Sequence, residues 1–488
     1  MALSVISCKF PIGVATMYNI PKHVLISILT LIVFCLTSCG SIKSTAGNSG
    51  SSFANNKPLS SINDPQLWKK SSNATWATLQ HTPLSVLQEA AATNTNPTAK
   101  GWLTLAIISK KYSTNTSVLV KELMNWRATY PSHPGNSLIP SDSTLNQLLT
   151  SSTPKHIAIL LPLSGPQASS GQAVRSGFLS AYYGTSEKPV LSFYDTALST
   201  DMVALYQKAS AQGADLVIGP LIKNNVQSLS KLNHFDVPVL ALNYTPSSFF
   251  SSSPSHFYEF GLSPLEEAQQ LANKAKLAGL TRALIIASDD TWGHRVTESL
   301  TSSFKNDGGS VIDSLYFTRR SNLTQDVATL LHINPQEDRA LMREDNKKSI
   351  LTEQRRQDFD VIFLFANADM ARQIVPLLRF YYAGNVPTYS ISAVYSGRPN
   401  PIKDKDINGV TFSETPWLIQ MAHFSSGNSI QFDRLYAIGR DAYLLSHSLA
   451  QLNTLPNFPI YGATGAIEMD QQNIHQRLPM VTMHGGRI

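Results

Sequence analysis

The chain has 488 residues, of which 42% are apolar and 15% are charged, so it can bury a large hydrophobic core. At roughly 100–200 residues per domain, this length predicts about two to four domains. The 39 Lys and Arg residues exceed the 33 Asp and Glu residues by only 6, and no run of five or more basic residues occurs. These values exclude a disordered or collagen-like chain and argue against a nucleic-acid partner.

The three cysteines, Cys8, Cys35 and Cys39, all lie before residue 40. The body of the chain therefore has no thiol, which excludes a disulfide framework, a cysteine-ligated metal site and a cysteine nucleophile there. Any role for cysteine belongs to the N-terminal segment.

The N-terminus has the order of an export signal. Twelve uncharged residues, 24–35, follow Lys22 and His23. This run is well short of the roughly 20 apolar residues that a membrane-spanning helix needs, so we predict a cleaved leader over residues 1–38. Met17 is an alternative start that gives the leader a more usual length.

The end of this segment resembles the bacterial lipobox, a branched residue and two small residues followed by cysteine, here Leu36, Thr37, Ser38 and Cys39. The resemblance implies that Cys39 becomes the lipidated first residue; the alternative is an ordinary signal peptide with a chance cysteine. Several acyl chains, at about 0.8 kcal/mol per buried CH2, would make the anchor essentially permanent. Gly40 is not the Asp that retains such lipoproteins in the inner membrane, so the resemblance implies the periplasmic face of a Gram-negative outer membrane.

Residues 39–63 are predicted to form a flexible tether after the lipidated cysteine. Residues 40–63 contain seven Ser, four Asn and three Gly, with few large apolar residues. A coil of this kind and length has a root-mean-square reach of about 27 Å. The folded part would therefore stand away from the membrane.

From residue 64 to 150 the apolar residues recur at helical spacing, and strand-like runs are missing. Apolar positions within 84–91, 102–107 and 118–126 each suit one amphipathic helix, with breaks at Thr82-Pro83 and at Tyr130–Pro134. Helices this short are unstable alone, so we predict that they pair as helical hairpins.

Short β-branched runs begin after Lys155 and alternate with amphipathic helices. The strongest strand predictions are His156–Leu161, Pro189–Asp195, Asp215–Pro220, Pro238–Asn243, Arg282–Ser288 and Asp360–Ala366. Such continuously apolar runs are typical of parallel strands that helices cover on both faces. Helices are predicted over Gly171–Tyr183 and Ser263–Leu277, the second with a capping box formed by Ser263 and Glu266 and with Pro264 first in the helix.

The repeated βα order over residues 155–488 predicts doubly wound parallel sheets. The alternation restarts at Arg282, so we predict two lobes with a crevice at the carboxyl ends of the strands. Residues 336–358 form a charge-dense stretch. We predict a solvated helix with i,i+4 ion pairs there, and a partner-facing surface is the alternative.

Several segments in this order resemble a known family. They are HIAILLPLSGPQASSGQAVRSGFLSAYY, DLVIGPL, PVLALNYT, ALIIASDDTWGHRV, QDFDVIFLFANADMARQIVPLLRFYYAG and TGAIEMDQQNIHQRLPM. They are similar to the type I periplasmic-binding-protein fold and, more narrowly, to the LpoA (LppC) family of outer-membrane lipoproteins. KGWLTLAIISKKYSTNTSVLVKELMNWRATYPSHPGN resembles the end of that family's TPR-like helical domain. The resemblance covers about residues 97–488, and the helical domain, at about 90 residues, is shorter than is common in the family.

The resemblance implies a function, because members of the family activate bifunctional class A penicillin-binding proteins. It implies a non-enzymatic regulator that binds such a peptidoglycan synthase and activates its transpeptidase domain, with peptidoglycan as a further candidate contact. The alternative is a lipid-anchored solute-binding protein of an ABC importer for amino acids or related small molecules. The helical domain before the first strand counts against this alternative, because capturing a solute does not require it.

Two loops carry polar residues of the kind that type I solute binders use. The loop after the first strand offers Ser164, Ser169 and Ser170, and the loop after the fourth strand offers Asn243, Tyr244 and Thr245. In a functional interpretation they bind a carboxylate near the helix N-terminus at Gly171. In the alternative they cap helices and fill a closed cleft.

The sequence contains no recognisable catalytic or metal-binding motif. Ser-x-x-Lys spacing occurs three times, but the Lys-Thr-Gly triplet that a penicillin-recognising enzyme also needs is absent. Asp289 and Asp290 are adjacent and are predicted to cap the following helix rather than to bind a metal. We therefore predict no catalytic residue, no metal site and no cofactor.

Overall fold

The computed structural model describes Ile62 and residues 64–186, 188–245, 254–334, 355–423, 433–470 and 473–488. The predicted leader with Met17, the lipobox Leu36–Cys39, almost all of the tether and most of the charge-dense stretch 336–358 lie outside the described residues. Among the described helices, none is both long enough and apolar enough to span a bilayer.

The N-terminal part of the described chain is a group of five helices, which we call the helical unit: α1 Ser72–His81, α2 Leu84–Thr93, α3 Pro97–Lys111, α4 Thr116–Thr129 and α5 Asp142–Leu149. Short 3-10 turns lie at Leu67–Lys69 and Pro134–Leu138. The predicted breaks are confirmed, because α1 ends before Thr82-Pro83 and α4 ends before Tyr130. Four of the helices begin at side chains that accept a hydrogen bond from a first-turn N–H: Ser71, Asn96, Asn115 and Ser141.

The helical unit has a core built around Trp76, Trp102 and Trp126. The ring centroids of Trp76 and Trp102 are 6.4 Å apart, and Trp126 Nε1 donates to the Gly101 carbonyl at 2.9 Å. Burial of the three indoles removes a large apolar area from water, and the N–H groups of Trp76 and Trp126 find acceptors. This packing supplies the stability that helices of this length lack alone.

Lobe 1 contains eight strands: β1 His156–Leu161, β2 Val190–Asp195, β3 Leu216–Ile218, β4 His234–Ala241, β5 Ser255–Glu259, β11 Ile460–Tyr461, β12 Ala466–Asp470 and β13 Asn473–Arg477. Their order across the sheet is β11-β12-β13-β5-β4-β3-β1-β2. Strands β1 to β5 and β13 pair in parallel, whereas β12 is antiparallel to both of its neighbours.

Helices lie on both faces of this sheet: α6 Ala168–Tyr183, α7 Met202–Ala211, α8 Lys223–Leu229, α14 Arg434–Ser446 and α15 Leu449–Thr454. Ile157 and Ile159 of β1 share a core with Phe178, whereas Ala158 and Leu160 share the opposite core with Tyr206. The strand is therefore buried on both faces, as its continuous apolar run predicts.

Lobe 2 contains six strands: β6 Arg282–Ser288, β7 Ser310–Phe317, β8 Val361–Phe365, β9 Thr388–Ser390, β10 Val410–Ser413 and β14 Met480–Thr482. Their order is β14-β10-β9-β8-β6-β7, and the pairs are parallel except for β10 with β14. Its described helices are α9 Pro264–Leu277, α10 Thr291–Asn306, α11 Leu323–Leu330 and α12 Ala368–Phe380.

The chain passes between the lobes three times: after β5, between β10 and α14, and between β13 and β14. The second connection includes α13, Pro416–Met421. Two lobes with doubly wound parallel sheets, preceded by helices, confirm the predicted fold class. The predicted strands His156–Leu161 and Arg282–Ser288 are confirmed to the residue.

A close contact between α6 and α14 depends on two glycines. A Cβ atom on Gly177 would lie 1.9 Å from the Tyr436 carbonyl oxygen, and one on Gly439 would lie 2.0 Å from the Val174 carbonyl oxygen. No other residue type fits such an approach without movement of the backbone. These glycines therefore join the C-terminal segment to the first βα unit of lobe 1.

Several local predictions need correction. Strand β3 covers only Leu216–Ile218 of the predicted Asp215–Pro220. Strand β4 begins at His234 rather than at Pro238, and it ends at Ala241. Helix α9 has the predicted Ser263 cap, whose Oγ accepts from Glu266 N at 3.4 Å, and Pro264 is its first residue. The capping box is not completed, however, because the Glu266 carboxylate binds His475 in lobe 1 instead.

Candidate functional site

The loop after β4 lines a pocket of about 380 Å³ between the lobes. Asn243, Tyr244 and Thr245 form its lobe 1 side, and Trp292 and Arg295 of α10 are on its lobe 2 side. This is the place where the sequence predicts ligand space, at the carboxyl ends of parallel strands.

The polar groups of this loop are largely engaged within lobe 1. Asn243 Nδ2 donates to the Leu221 carbonyl at 3.1 Å, and Asn243 Oδ1 accepts from Tyr244 N at 2.9 Å. Thr245 N donates to Glu259 Oε1 at 2.8 Å. The buried Tyr244 hydroxyl donates to the Ile474 carbonyl at 2.7 Å, and burial raises the pKa of this phenol well above its usual value. These contacts hold the loop in place.

The serines predicted at the first loop do not line this pocket. Ser164 hydrogen-bonds the Asp195 carboxylate, and this bond is the main reason why the pKa of Asp195 lies below its usual value. Ser169 and Ser170 lie in the first turn of α6, which begins at Ala168 rather than at Gly171. The structure therefore does not bring the two predicted sets of residues together at one pocket.

The pocket has a basic character that the sequence does not reveal. Lys223, the first residue of α8, and Arg295 of α10 line it from opposite lobes, and no carboxylate is among the described residues that line it. Trp292 adds an aromatic surface. Such a lining suits an anion with an apolar body. The described residues include no group of three or more His, Cys, Asp or Glu side chains arranged to hold a metal ion.

A half-buried arginine and a buried glutamate hold the lobes together at the second connection. Arg434, at the start of α14, pairs with Glu414 and donates to the carbonyl oxygens of Ser392 at 2.8 Å and Tyr395 at 3.1 Å. Burial alone would lower the pKa of Arg434, but the Glu414 carboxylate outweighs it and raises that pKa. Lobe 1 is thereby fixed to lobe 2 through one guanidinium.

Glu267 of α9 completes this buried network. Its carboxylate accepts hydrogen bonds from Ser392 N at 2.7 Å, from Ser392 Oγ at 2.9 Å and from Ser413 Oγ. Burial raises the pKa of Glu267, and the three donors partly offset the effect. We call Glu267, Ser392, Ser413, Glu414 and Arg434 the hinge network.

A second polar contact joins the lobes at the α9 N-terminus. His475 Nδ1 of β13 lies 2.7 Å from Glu266 Oε1, and this hydrogen bond raises the pKa of His475. Gln270 Nε2 donates to the Gln476 carbonyl at 2.6 Å, and Gln270 Oε1 accepts from Leu478 N at 3.0 Å. Together with the hinge network, these contacts favour a single angle between the lobes.

The helical unit is joined to lobe 1 through a shared hydrophobic core. Leu455 and Phe458, which follow α15, are buried within the core of the helical unit. Trp76 Nε1 donates to the Asn457 carbonyl at 2.7 Å, and Gln451 Nε2 donates to the Ser113 carbonyl at 2.8 Å. We call this contact the helical junction.

The amino-acid sequence does not indicate the hinge network, because its members are far apart in the chain. One signal was available for Glu267, which lies four residues before Leu271 and eight before Ala275, on the buried stripe of α9. A charged residue on such a stripe indicates a buried partner. Nothing in the sequence indicates that Arg434 is the cation of this network.

Comparison with known proteins identifies the family. The family model described as "LppC putative lipoprotein" matches residues 56–482. The chain belongs to the LppC family. Two relatives, from Photobacterium profundum and Vibrio cholerae serotype O1, bear the name "Penicillin-binding protein activator LpoA". They are 28% and 26% identical over 82% and 84% of this chain, which spans 67% and 70% of their lengths.

Solved structures agree with membership of the LppC family. Full-length LpoA from Haemophilus influenzae matches with a TM-score of 0.55 and 25% identity over 86% of this chain and 74% of that one. A branched-chain amino acid ABC transporter protein from Chromobacterium violaceum matches with a TM-score of 0.51 and 23% identity, over 67% of this chain and 99% of that one. The second likeness shows the fold alone. The predicted resemblance to the family and to the type I periplasmic-binding-protein fold is confirmed.

Proposed function

We propose that this LppC-family chain is an activator of a class A penicillin-binding protein and has no catalytic activity of its own. The observation that carries the proposal is the extent of the similarity. Full-length LpoA corresponds to 86% of the chain, whereas the ABC transporter protein leaves a third of it without a counterpart. Capturing a solute needs the lobes alone, so the alternative of a solute binder gives the helical unit no role.

The mechanism proposed is allosteric. A regulator can shift a synthase toward its active state only by as much as it binds that state more tightly than the inactive one. The helical junction and the hinge network join the helical unit and the two lobes through buried contacts. Parts that are already joined in this way have less conformational freedom to lose on binding, so more of the contact energy is available to favour one state of the partner.

The membrane attachment is part of the proposal. Cleavage of residues 1–38 would leave Cys39 lipidated, residues 39–63 as the tether, a TPR-like helical domain over 64–150 and the two-lobed domain over 155–488. An anchor on the periplasmic face of the outer membrane would raise the local concentration near the synthase and bring the protein close to peptidoglycan. Membership of a lipoprotein family supports the anchor.

The cleft residues Ser164, Ser169, Ser170, Asn243, Tyr244 and Thr245 stay a prediction for the alternative function of a solute-binding protein. The internal hydrogen bonds of Asn243 and Thr245 count against it. Thermal unfolding with a panel of amino acids tests it, because a ligand at 100 times its dissociation constant adds about 2.7 kcal/mol of stability. A panel without effect removes this alternative.

The deciding experiment measures cross-linking by the organism's own class A penicillin-binding proteins with and without soluble residues 40–488. We expect the transpeptidase rate to rise and to saturate with activator concentration. Heat-unfolded protein is the control for non-specific effects, and glycan polymerisation in the same reaction separates the two activities of the synthase. An unchanged rate together with no complex in a pull-down would overturn the proposal and make Ser164, Ser169 and Thr245 the first residues to test as a solute site.

A further inference from the structure

A groove of about 810 Å³ lies where the helical unit, lobe 1 and α13 meet. We call it the junction groove. Its walls come chiefly from residues within 114–117, 180–186, 416–420, 440–448 and 461–463. The turn 114–117 belongs to the helical unit, so the lobes alone would not form this groove.

Hydrogen bonds across the helical junction fix the walls of the groove. Thr116 Oγ1 donates to Gln451 Oε1 at 2.7 Å, which ties the turn 114–117 to lobe 1. The buried Asp441 carboxylate accepts from Ala463 N at 2.7 Å and from Thr464 N at 2.6 Å, which fixes the floor. A site with fixed walls can bind a ligand without the cost of ordering its own loops.

The charges of the junction groove are already paired or covered. Among its described lining residues, Arg440 and Asp441 are the two that carry a full charge. Arg440 donates to Ser180 Oγ at 3.0 Å and its guanidinium lies 4.5 Å from the Trp417 ring centroid. Asp441 is buried and hydrogen-bonded, and Arg440 is half-buried against Ser180 and Trp417, so neither charge is fully open to a ligand in the groove.

The remaining lining favours a neutral ligand with many hydroxyl and amide groups. Exposed polar side chains include Ser117, Ser186 and Gln420, and the rings of Trp417 and Tyr461 add apolar surface beside them. An extended peptide would need a free strand edge. The edge strand β11 reaches the groove at Tyr461, but Tyr461 N already donates to Ser113 Oγ at 3.3 Å.

We propose that the junction groove binds a neutral glycan segment. Hydroxyl and amide side chains hydrogen-bond the sugar. The parts of the Trp417 and Tyr461 rings that line the groove contact its C–H groups, although Arg440 lies against the Trp417 ring and Lys110 against the Tyr461 ring. The choice of an N-acetylated sugar as the probe rests on the proposed function, which places the protein beside peptidoglycan. The binding assay contains no synthase, so its failure and a failure of transpeptidase activation are independent results.

Calorimetric titration of the full-length protein in detergent with the tetrasaccharide of N-acetylglucosamine tests the proposal. We expect one saturable site. Ser117→Trp, at an exposed position of the groove wall, should weaken binding at least tenfold by filling the groove. Ala128→Trp, at an exposed position near the other end of α4, is the matched control and should change the affinity less than twofold.

Three results would overturn the assignment. One is the absence of saturable heat with the tetrasaccharide. Another is equal affinity of the Ser117→Trp variant and the unchanged protein, which would place any sugar elsewhere. The third is tighter binding of tetra-alanine than of the tetrasaccharide, which would make the groove a peptide site. Circular dichroism of both variants excludes misfolding as the cause of lost binding.

Discussion

The two junctions of this molecule are built from different interactions. At the helical junction, Leu455 and Phe458 insert into an apolar core and neutral hydrogen bonds surround them. At the hinge, the buried contacts are charged, with Arg434 against Glu414 and Glu267 beside them. Apolar burial contributes stability but little direction, whereas a buried ion pair contributes little net stability and is costly to break by removal of one partner.

This difference suggests different roles for the two junctions. The helical junction keeps the helical unit attached to lobe 1. The hinge network sets the angle at which the two lobes present their surfaces.

The largest expected effect comes from breaking the apolar junction. Phe458→Ala removes a fully buried ring from the core of the helical unit and should lower the free energy of unfolding by about 4 kcal/mol. Urea unfolding measures the loss, and limited proteolysis should show cleavage between the helical unit and lobe 1. Phe380→Ala, at a ring that is 58% exposed, is the control and should cost under about 1 kcal/mol. Equal losses in the two variants would contradict the shared core.

Breaking the hinge network should lower the free energy of unfolding by somewhat less. Arg434→Met leaves Glu414 buried without its cation, and we expect a loss of about 3 kcal/mol in the free energy of unfolding. Adding Glu414→Gln should recover part of this loss, since the uncompensated charge is then gone. Arg282→Met, which breaks the exposed pair with Asp360, is the control and should cost under about 1 kcal/mol. A double variant no more stable than Arg434→Met would contradict the argument from charge.

At the helical junction, Lys110 is expected to make the free energy of unfolding depend on pH. Burial, with Arg477 nearby, lowers the pKa of Lys110 from 10.5 to about 8. A cation with a depressed pKa destabilises the folded state at neutral pH, and stability returns as the pH rises from about 8 toward 10.5. Relative to Lys110→Gln, the unchanged protein should gain about 2 kcal/mol between pH 8 and pH 10. Lys111→Gln, at the exposed neighbour, should leave this gain in place.

The smallest effect on the free energy of unfolding is expected for His475, which contacts Glu266 between the lobes. Its contribution falls as the pH rises, whereas that of Lys110 increases. Hydrogen bonding to Glu266 raises the pKa of His475 above 6.5, so its contribution is present below pH 6.5 and is lost as the pH rises through the raised value. The His475 side chain is 40% exposed, so we expect under about 1 kcal/mol. The stability of the unchanged protein relative to His475→Gln should therefore fall between pH 6 and pH 8. A rise in this relative stability over the same range would contradict the assignment.

Some elements of the fold could be predicted because their signals are local. Strands β1 and β6 are apolar runs that follow polar residues, and the predicted bounds of both agree with the structure to the residue. The predicted Asp290 cap is confirmed, since its carboxylate accepts from Gly293 N at 2.7 Å. Strand β4 was predicted too short because Pro238 is an unusual residue within a strand.

The candidate cleft was predictable only in part, because its position has a local signal in the sequence and its hydrogen bonds do not. Residues 243–245 follow a parallel strand, and the carboxyl ends of such strands share one edge of a sheet. This predicts a pocket at these residues, and the structure has one there. The sequence does not show that Ser164 hydrogen-bonds Asp195, or that Asn243 and Thr245 form hydrogen bonds within lobe 1. Hydrogen-bond partners depend on side-chain direction, which spacing along the chain does not specify.

The amino-acid sequence by itself determined the helix caps, the doubly buried strands and the family resemblance, because each depends on residues that are close together in the chain. Tertiary packing determined the contact of Gly177 with α14, the pairing of His475 with Glu266 and the hinge network. Each of these joins residues from separate elements, and the choice of partner follows from how those elements pack. For this reason the lobes could be predicted from sequence, whereas the angle between them and the groove beside the helical unit could not.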